Sequence, residues 1–134
     1  MAKFKGVTYM DGGPDLLRSR AATAGRIVLH LLSTYSAGDS YATCAGNSLG
    51  SVALVPGDIV SSGSSGASRV TTFASKAITL TGSASGTPNL HYAVLDSVSS
   101  EVHLATDENT NPASVSSGGT ATNAAFTDTI AQPT

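Results

Sequence analysis

The sequence has little charge and few aromatic side chains. Of its 134 residues, 12% are Asp, Glu, Lys or Arg, 5% are aromatic, and there is no tryptophan. With 40% hydrophobic residues and a net charge of −2, the composition is not that of a disordered chain. Fourteen glycines, together with many Ser, Thr and Ala residues, are typical of short strands joined by turns. At this length we expect a single domain.

The chain also lacks a second cysteine and a long hydrophobic run. The single cysteine, Cys44, excludes an internal disulfide and a cysteine-only zinc site, and we expect it to be a small buried side chain. The longest apolar run, Ile27 to Leu32, is too short to span a membrane. No apolar stretch follows the basic residues at the start, so the pattern of a secretory signal is missing. We expect a soluble protein made in the cytosol.

Charge is distributed unevenly along the chain. Residues 1–26 carry five basic and two acidic residues, whereas residues 27–134 carry two basic and seven acidic ones. A basic leading segment on an acidic body predicts an arm or short helix, residues 1–25, that packs on an acidic partner. A solvated terminus is the alternative, and nucleic acid is disfavoured because the acidic body would repel phosphates. The predicted partner-binding residues are Lys3, Lys5, Arg18, Arg20 and Arg26.

The clearest structural signal is a β-hairpin. Two segments, Leu90–Asp96 and Glu101–Thr106, are rich in apolar and β-forming residues. The short Ser-rich break Ser97–Ser100 separates them, as a turn separates the two strands of a hairpin. Ile27–Leu32 is apolar on both faces except for His30, as in a central strand that is covered on both sides. These segments predict the framework of an all-β domain spanning residues 26–134.

The remaining segments are shorter. Pro14 to Gly25 has the punctuation of a short helix, and residues 33–50 read as a long loop with one helical turn near Tyr41. Residues 61–67 form a Gly/Ser tract that predicts a flexible loop within the domain. Further strands are predicted at residues 1–9, 51–55, 69–74, 76–81 and 121–130. Together they predict about seven to nine short antiparallel strands in a β-sandwich or small barrel.

One motif imitates a serine hydrolase. Gly46 to Gly50 fits the pattern G-x-S-x-G around Ser48, and Asp96 or Glu101 followed by His103 completes the chain order of a triad. In that fold, however, the serine follows a strand and precedes a helix. Here no apolar strand leads into Gly46, and a strand is predicted after Gly50. We therefore predict no catalytic site and no enzyme.

Histidines and acidic residues suggest two metal hypotheses. His91 and His103 lie on the two arms of the hairpin, on the same face with a three- or five-residue loop and on opposite faces with a two- or four-residue loop. With Asp107 they could form a metal site only in the first case. The stretch from Asp107 to Asn111 is rich in oxygen ligands but lacks the spacing of a known calcium loop. Ordinary surface residues are favoured, and we predict neither metal nor cofactor.

Five segments give the chain a resemblance to a known class of proteins. They are Ile27–Leu32, Tyr41–Thr43, Arg69–Thr71, Gly86–Asp96 and Ala131–Thr134. In pattern they resemble small β-rich virion structural proteins of tailed bacteriophages, over roughly residues 25–134 of the chain. The resemblance lies in overall pattern and not in a diagnostic motif, so it assigns no functional residue.

The resemblance implies a non-enzymatic capsid decoration (cement) protein. Such a protein would bind the outer surface of the major capsid protein lattice, stabilise the shell and associate with copies of itself, for example as a trimer. Its expected location is the capsid exterior of the virion, with no nucleic acid or membrane as partner. The alternative is a tail- or fibre-associated β-sandwich for assembly or host glycan binding, although four tyrosines without tryptophan offer few aromatic side chains for a glycan.

Overall fold

Two antiparallel sheets form the framework of the protein. The computed structural model describes residues 3–5, 7–62, 69–86, 89–107, 114–122 and 125–130. Its larger sheet has seven strands in the order β1-β8-β7-β2-β3-β6-β9, and its smaller sheet has the order β10-β5-β4. The strands are Lys3–Lys5 (β1), Ile27–Leu32 (β2), Ser48–Ala53 (β3), Ile59–Ser62 (β4), Arg69–Phe73 (β5), Ala77–Leu80 (β6), His91–Asp96 (β7), Glu101–Asp107 (β8), Thr120–Thr122 (β9) and Phe126–Ile130 (β10).

The predicted all-β class is confirmed. Each named strand pairing is antiparallel, and the two sheets stay open, so the fold is a sandwich and not a small barrel. The described residues form ten strands, slightly more than the sequence predicts. The predicted hairpin is β7–β8, and β2 pairs with β7 on one side and β3 on the other, as expected for a central strand.

The larger core lies between the two sheets. Leu29 and Leu31 of β2, Tyr92 and Val94 of β7 and Phe73 of β5 are buried in it. Alternation along β2 and β7 places their four side chains on one face of the larger sheet, which we call the inner face, and Phe73 packs against them from the smaller sheet. A smaller core lies on the opposite, outer face, and its buried members are Leu32, Cys44, Ala93, Leu95 and Ala105.

The helices differ from the predicted ones. Helix α1 spans Val7–Ala21 and is interrupted at Gly13, whose positive φ of 61° favours glycine, so that Pro14 begins a second helical segment. The segment from Pro14 matches the predicted helix, but residues 7–9 are helical where the sequence predicts an edge strand. That edge strand is confined to β1, which pairs with β8. Leu17 and Ala21 of α1 lie in the larger core of this chain.

Residues 33–50 contain more regular secondary structure than the predicted loop. Helix α2 covers Tyr41–Gly46, as the helical turn near Tyr41 suggested, but β3 begins at Ser48 and not at Ser51. Gly50 explains the error, because glycine in a sequence is ordinarily a loop signal. In the structure, a Cβ at Gly50 would lie 2.6 Å from the carbonyl oxygen of Thr79 on β6, so glycine permits the close approach of two strands.

Some predictions fall outside the described residues. They include most of the Gly/Ser tract, at residues 63–67, most of the acidic loop, at residues 108–112, and the closing residues 131–134. No helix in the described ranges is long and apolar enough to cross a membrane.

Candidate functional site: a buried charge cluster at the hairpin turn

The strand register at the end of the β7–β8 hairpin brings ionisable residues together. Asp96, the last residue of β7, pairs with Glu101, the first of β8, across the four-residue turn 97–100. The register then shifts: Leu95 pairs with Val102 but Val94 pairs with Leu104. His103 is thus the extra residue of a β-bulge, and a bulge can re-aim a side chain. Its Nε2 lies 3.8 Å from Oδ2 of Asp96 and 3.8 Å from Oε2 of Glu101.

Asp96 is the centre of the cluster. Its Oδ1 accepts hydrogen bonds from the backbone N–H groups of Val98 at 2.9 Å and Ser99 at 3.0 Å, which shape the turn. Arg20 donates from Nη1 to Oδ2 at 3.0 Å, and Arg26 donates from Nε to both carboxylate oxygens at 3.1 Å. One fully buried carboxylate therefore fixes the turn, the end of α1 and the start of β2.

The pKa of Asp96 reflects these contacts. Burial by itself would raise this pKa, but the hydrogen bonds from Arg26, Ser99 and Val98 and the charge of Arg26 outweigh burial and hold the pKa well below its usual range. Asp96 consequently stays ionised at any ordinary pH. Because its lone pairs are engaged by donors, it is not placed to act as a general base.

His103 is buried like Asp96, but its hydrogen bonding differs from that of Asp96. The side chain is 1% exposed, and neither ring nitrogen has a hydrogen-bond partner among the described residues. Burial lowers the pKa of His103, while the negative charges of Asp96 and Glu101 oppose this effect and Arg20 adds to it. A neutral imidazole with available nitrogens beside two carboxylates can accept a hydrogen bond or coordinate a metal.

The predicted partner-binding residues fall into two groups. Arg20 and Arg26 belong to the charge cluster, and Arg20 also donates to Oε2 of Glu101 at 2.7 Å. Arg18 donates from Nε to the carbonyl of Ile59 at 2.9 Å and from Nη2 to Oγ of Ser61, so it covers part of the β4 edge. Lys3 and Lys5 lie on β1, and their side chains are outside the described residues. Partner contact by these residues stays a prediction.

The serine motif has the wrong local structure for a nucleophile elbow. Ser48 follows helix α2 and begins strand β3, the reverse of the strand-to-helix order that exposes a catalytic serine. Its Oγ lies 2.9 Å from Nδ1 of His30 and donates to the carbonyl of Gly50 at 3.1 Å. His103 contacts Asp96 and Glu101 instead, so the triad order in the sequence does not become a triad in space.

The two hairpin histidines are not brought into one site. The ring centroid of His91 lies 5.9 Å from that of Tyr35, which packs on the outer core, whereas His103 belongs to the charge cluster. The four-residue turn places them on opposite faces of the hairpin, as predicted for a loop of that length. The positions of the two histidines therefore do not support a metal site made of His91, His103 and Asp107. Most of the stretch from Asp107 to Asn111, which lacks the spacing of a known calcium loop, lies outside the described residues.

The sequence contains every member of the cluster but does not connect them. It predicts Arg20 and Arg26 on a partner surface, and Asp96, Glu101 and His103 follow one another only in the chain order of a triad. The available signal was Asp96 itself, an Asp between an apolar strand and a Ser-rich turn, which predicts side-chain capping of the turn. The β-bulge at His103 has no signature in the sequence.

Comparison with known proteins adds no relative. No protein-family model matches the chain, no curated protein matches it, and no solved structure matches it.

Proposed function

We propose that the protein is a non-enzymatic capsid decoration protein of a tailed bacteriophage, which binds the outer surface of the major capsid protein lattice and stabilises the shell. The resemblance of sequence pattern supplies this class. The confirmed β-sandwich is compatible with it, because a decoration protein needs a rigid body with contact surfaces and no active site.

The observation that carries the proposal is how the chain uses its few charges. In the described part of the chain, basic side chains are paired with acidic ones inside the same molecule: Arg18 with Asp15, Arg20 with Asp96 and Glu101, Arg26 with Asp96, and Lys76 with Asp58. Much of the remaining surface consists of Ser, Thr, Ala and Gly. Protein interfaces are depleted of charge in their centre, since charges must be desolvated there, so this surface suits close packing in a lattice.

A corner of the smaller sheet is the contact surface that we assign to the capsid protein. Val55 is 52% exposed and Val60 is 55% exposed, on either side of the turn Pro56–Asp58 that leads into β4. A shallow groove beside them is lined by Arg18, Gly57 and Ser61 among others. The two valines supply apolar area at the edge of the sandwich, where a lattice subunit can reach it.

Lys3 and Lys5 would add an electrostatic contribution from the N-terminal edge strand. Contacts of this kind are screened by salt, whereas burial of the valines is not. Association with copies of the same chain, for example as a trimer, would place several weak contacts on the lattice together and raise the overall affinity through avidity.

The test is co-sedimentation of the purified protein with undecorated capsids of its own virus. The decisive variant carries Val55→Asp and Val60→Asp. Its matched control is Val98→Asp, because Val98 is also an exposed valine, at 67%, but lies in the hairpin turn. We expect saturable binding at a stoichiometry fixed by the lattice, loss of binding in the double variant and unchanged binding in the control. A Lys3→Glu, Lys5→Glu variant should weaken binding mainly at low salt.

Deletion of the whole segment 1–25 is a poor test, because it removes Leu17 and Ala21 from the core. If the unaltered protein fails to bind capsids but binds isolated tails or fibres, the decoration proposal is wrong and the alternative is favoured. Equal loss in the double variant and the Val98 control would reject the assigned contact surface while keeping the capsid as partner.

A further inference from the structure

A buried histidine without hydrogen bonds needs a physical explanation. Leaving a polar group unpaired in a protein interior is destabilising, so such groups are uncommon and often mark a role other than packing. His103 is 1% exposed, and both of its ring nitrogens lack a partner among the described residues. At 3.8 Å, its Nε2 is too far from either carboxylate oxygen for a good hydrogen bond.

The geometry around His103 is close to that of a metal site. One ligand atom each from Asp96, Glu101 and His103 lie within 4.8 Å of one another. Ligands of a tetrahedral zinc ion lie about 2.0–2.2 Å from the metal, and therefore about 3.3 Å from each other. Side-chain rotations, above all of Glu101, which is 34% exposed, would have to close the separations of 3.8 Å at His103 and of up to 4.8 Å within the group. One imidazole and two carboxylates are donors that Zn²⁺ and related divalent ions accept.

Arg20 shows that a cation is already favoured at this position. Its Nη1 lies 3.0 Å from Oδ2 of Asp96 and 2.7 Å from Oε2 of Glu101, between the two carboxylates. The Arg20 side chain is 20% exposed, at the end of α1, so it can turn towards solvent. Arg26 also contacts Oδ2 of Asp96, from Nη2 at 3.0 Å, so the metal would share this oxygen with Arg26. Nε of Arg26 and the backbone N–H groups of the turn would still hold Asp96 through Oδ1, as outer contacts orient a ligand in known metal sites.

We propose that Asp96, Glu101 and His103 form a binding site for a divalent transition-metal ion such as Zn²⁺, which takes the place of the Arg20 guanidinium between the two carboxylates. The exchange replaces one positive charge with two beside a pair of carboxylates and gives His103 its missing partner. The site joins both strands of the hairpin, so metal binding should stabilise the fold by mass action. This inference does not depend on the proposed capsid function.

The experiment is a titration of the tag-free protein with Co²⁺ and Zn²⁺, followed by the visible spectrum of Co²⁺ and by calorimetry. We expect saturation at one equivalent. His103→Gln should lower the affinity by a factor on the order of 100, since it removes a direct ligand. His91→Gln is the matched control, because it removes a buried histidine on the other face of the same hairpin, and it should leave the affinity unchanged.

Arg20→Met tests the exchange. The metal would no longer compete with a guanidinium, so this variant should bind more tightly, by on the order of tenfold. Because the substitution removes a partner of buried Asp96, thermal unfolding of each variant is recorded first. Binding by the Arg20 variant that is no tighter than that of the unaltered chain rejects the exchange.

A measurement on the unaltered chain covers the case in which a variant does not fold. Zn²⁺ should shift the imidazole signals of His103 in NMR spectra and leave those of His91 and His30 in place. Absence of saturable binding, equal binding by the His103 and His91 variants, or shifts confined to His30 or His91 would each overturn the proposal.

Discussion

The two faces of the β7–β8 hairpin are held together by different kinds of contact near the turn. At its turn, the inner face holds a cluster of ionised groups in which Asp96 accepts hydrogen bonds from two arginines and two backbone N–H groups. The outer face holds Ala93, Leu95 and Ala105 against Cys44 of α2. At the turn end of the hairpin, burial on the inner face therefore depends on directional contacts, whereas burial on the outer face depends on the removal of apolar area from water.

This difference has a consequence for how each face responds to change. A charge cluster loses much of its stability when one member is removed, because the remaining charges stay buried without a partner. An apolar cluster loses stability in proportion to the volume removed and can partly relax. Substitutions on the two faces should therefore differ in how much stability they remove.

Asp96→Ala should be the most destabilising substitution in the hairpin. It leaves Arg20 and Arg26 without their shared carboxylate and removes Oδ1, the oxygen that accepts the two backbone hydrogen bonds of the turn. We expect a loss of about 3–5 kcal/mol in the free energy of unfolding, measured by urea denaturation. Asp96→Asn is the matched control, since it keeps the size and one acceptor oxygen and should lose less. A loss below about 1 kcal/mol in the alanine variant would contradict the central role of Asp96.

Leu95→Ala should cost less than Asp96→Ala, although Leu95 is also fully buried. The expected loss is about 2–4 kcal/mol, from the lost apolar transfer and the cavity left behind. Urea denaturation under the same conditions provides the measurement, with Leu95→Met as a volume-conserving control. If Leu95→Ala destabilises the protein more than Asp96→Ala, the distinction between the two faces is wrong.

The apolar half of this comparison could be predicted from the sequence, and the charged half could not. Alternating and continuous apolar runs predicted β2, β7 and β8, because burial of a face follows directly from strand periodicity. Cys44 was predicted to be buried and is buried. The pairing of Arg20 and Arg26 with Asp96 joins residues 76 and 70 positions apart, and no local pattern encodes contacts at that separation.

The same limitation explains the errors at Gly50 and in the N-terminal segment. Gly50 lies within β3, where its lack of a side chain lets β6 approach, but the sequence shows only a glycine in a polar stretch. Leu17 and Ala21 enter the core because α1 packs on both sheets, and a short basic helix gives no indication of that by itself. Long-range packing determined both outcomes.

Acid should destabilise the inner face through His103. Because its pKa in the folded protein is lowered, the unfolded chain binds a proton near pH 6.5 while the folded chain does not. The free energy of unfolding should therefore fall as the pH drops below about 6.5, until the lower pKa of the folded state is reached. The measurement is urea denaturation from pH 7.5 to pH 5 with a chelator present. Asp96 does not add to this loss of stability above pH 5. Because its pKa in the folded protein is lowered, the stability that it contributes is lost only when the pH falls to the usual pKa of aspartate and below.

His103→Gln should flatten this pH dependence, by about 1.4 kcal/mol for each unit by which the pKa is lowered. His30, whose pKa is also lowered by burial, provides the corresponding test on the outer face through His30→Gln. A pH profile that is unchanged in both variants would show that neither histidine is responsible for the acid sensitivity.

The smallest effect concerns the reactivity of Cys44, the buried residue of α2 on the outer face. Burial raises the pKa of its thiol from 9.0 to about 11, with a smaller contribution from the charge of Asp39. At neutral pH the thiolate fraction should fall by about 100-fold for this change of two units, so alkylation by iodoacetamide should be far slower in the folded protein than in urea. Leu95→Ala should speed alkylation because it loosens the outer core around Cys44, whereas Asp96→Asn, on the inner face, should change the rate much less. Equal acceleration by both substitutions would mean that α2 opens only when the whole domain unfolds, and that the two faces of the hairpin are one cooperative unit.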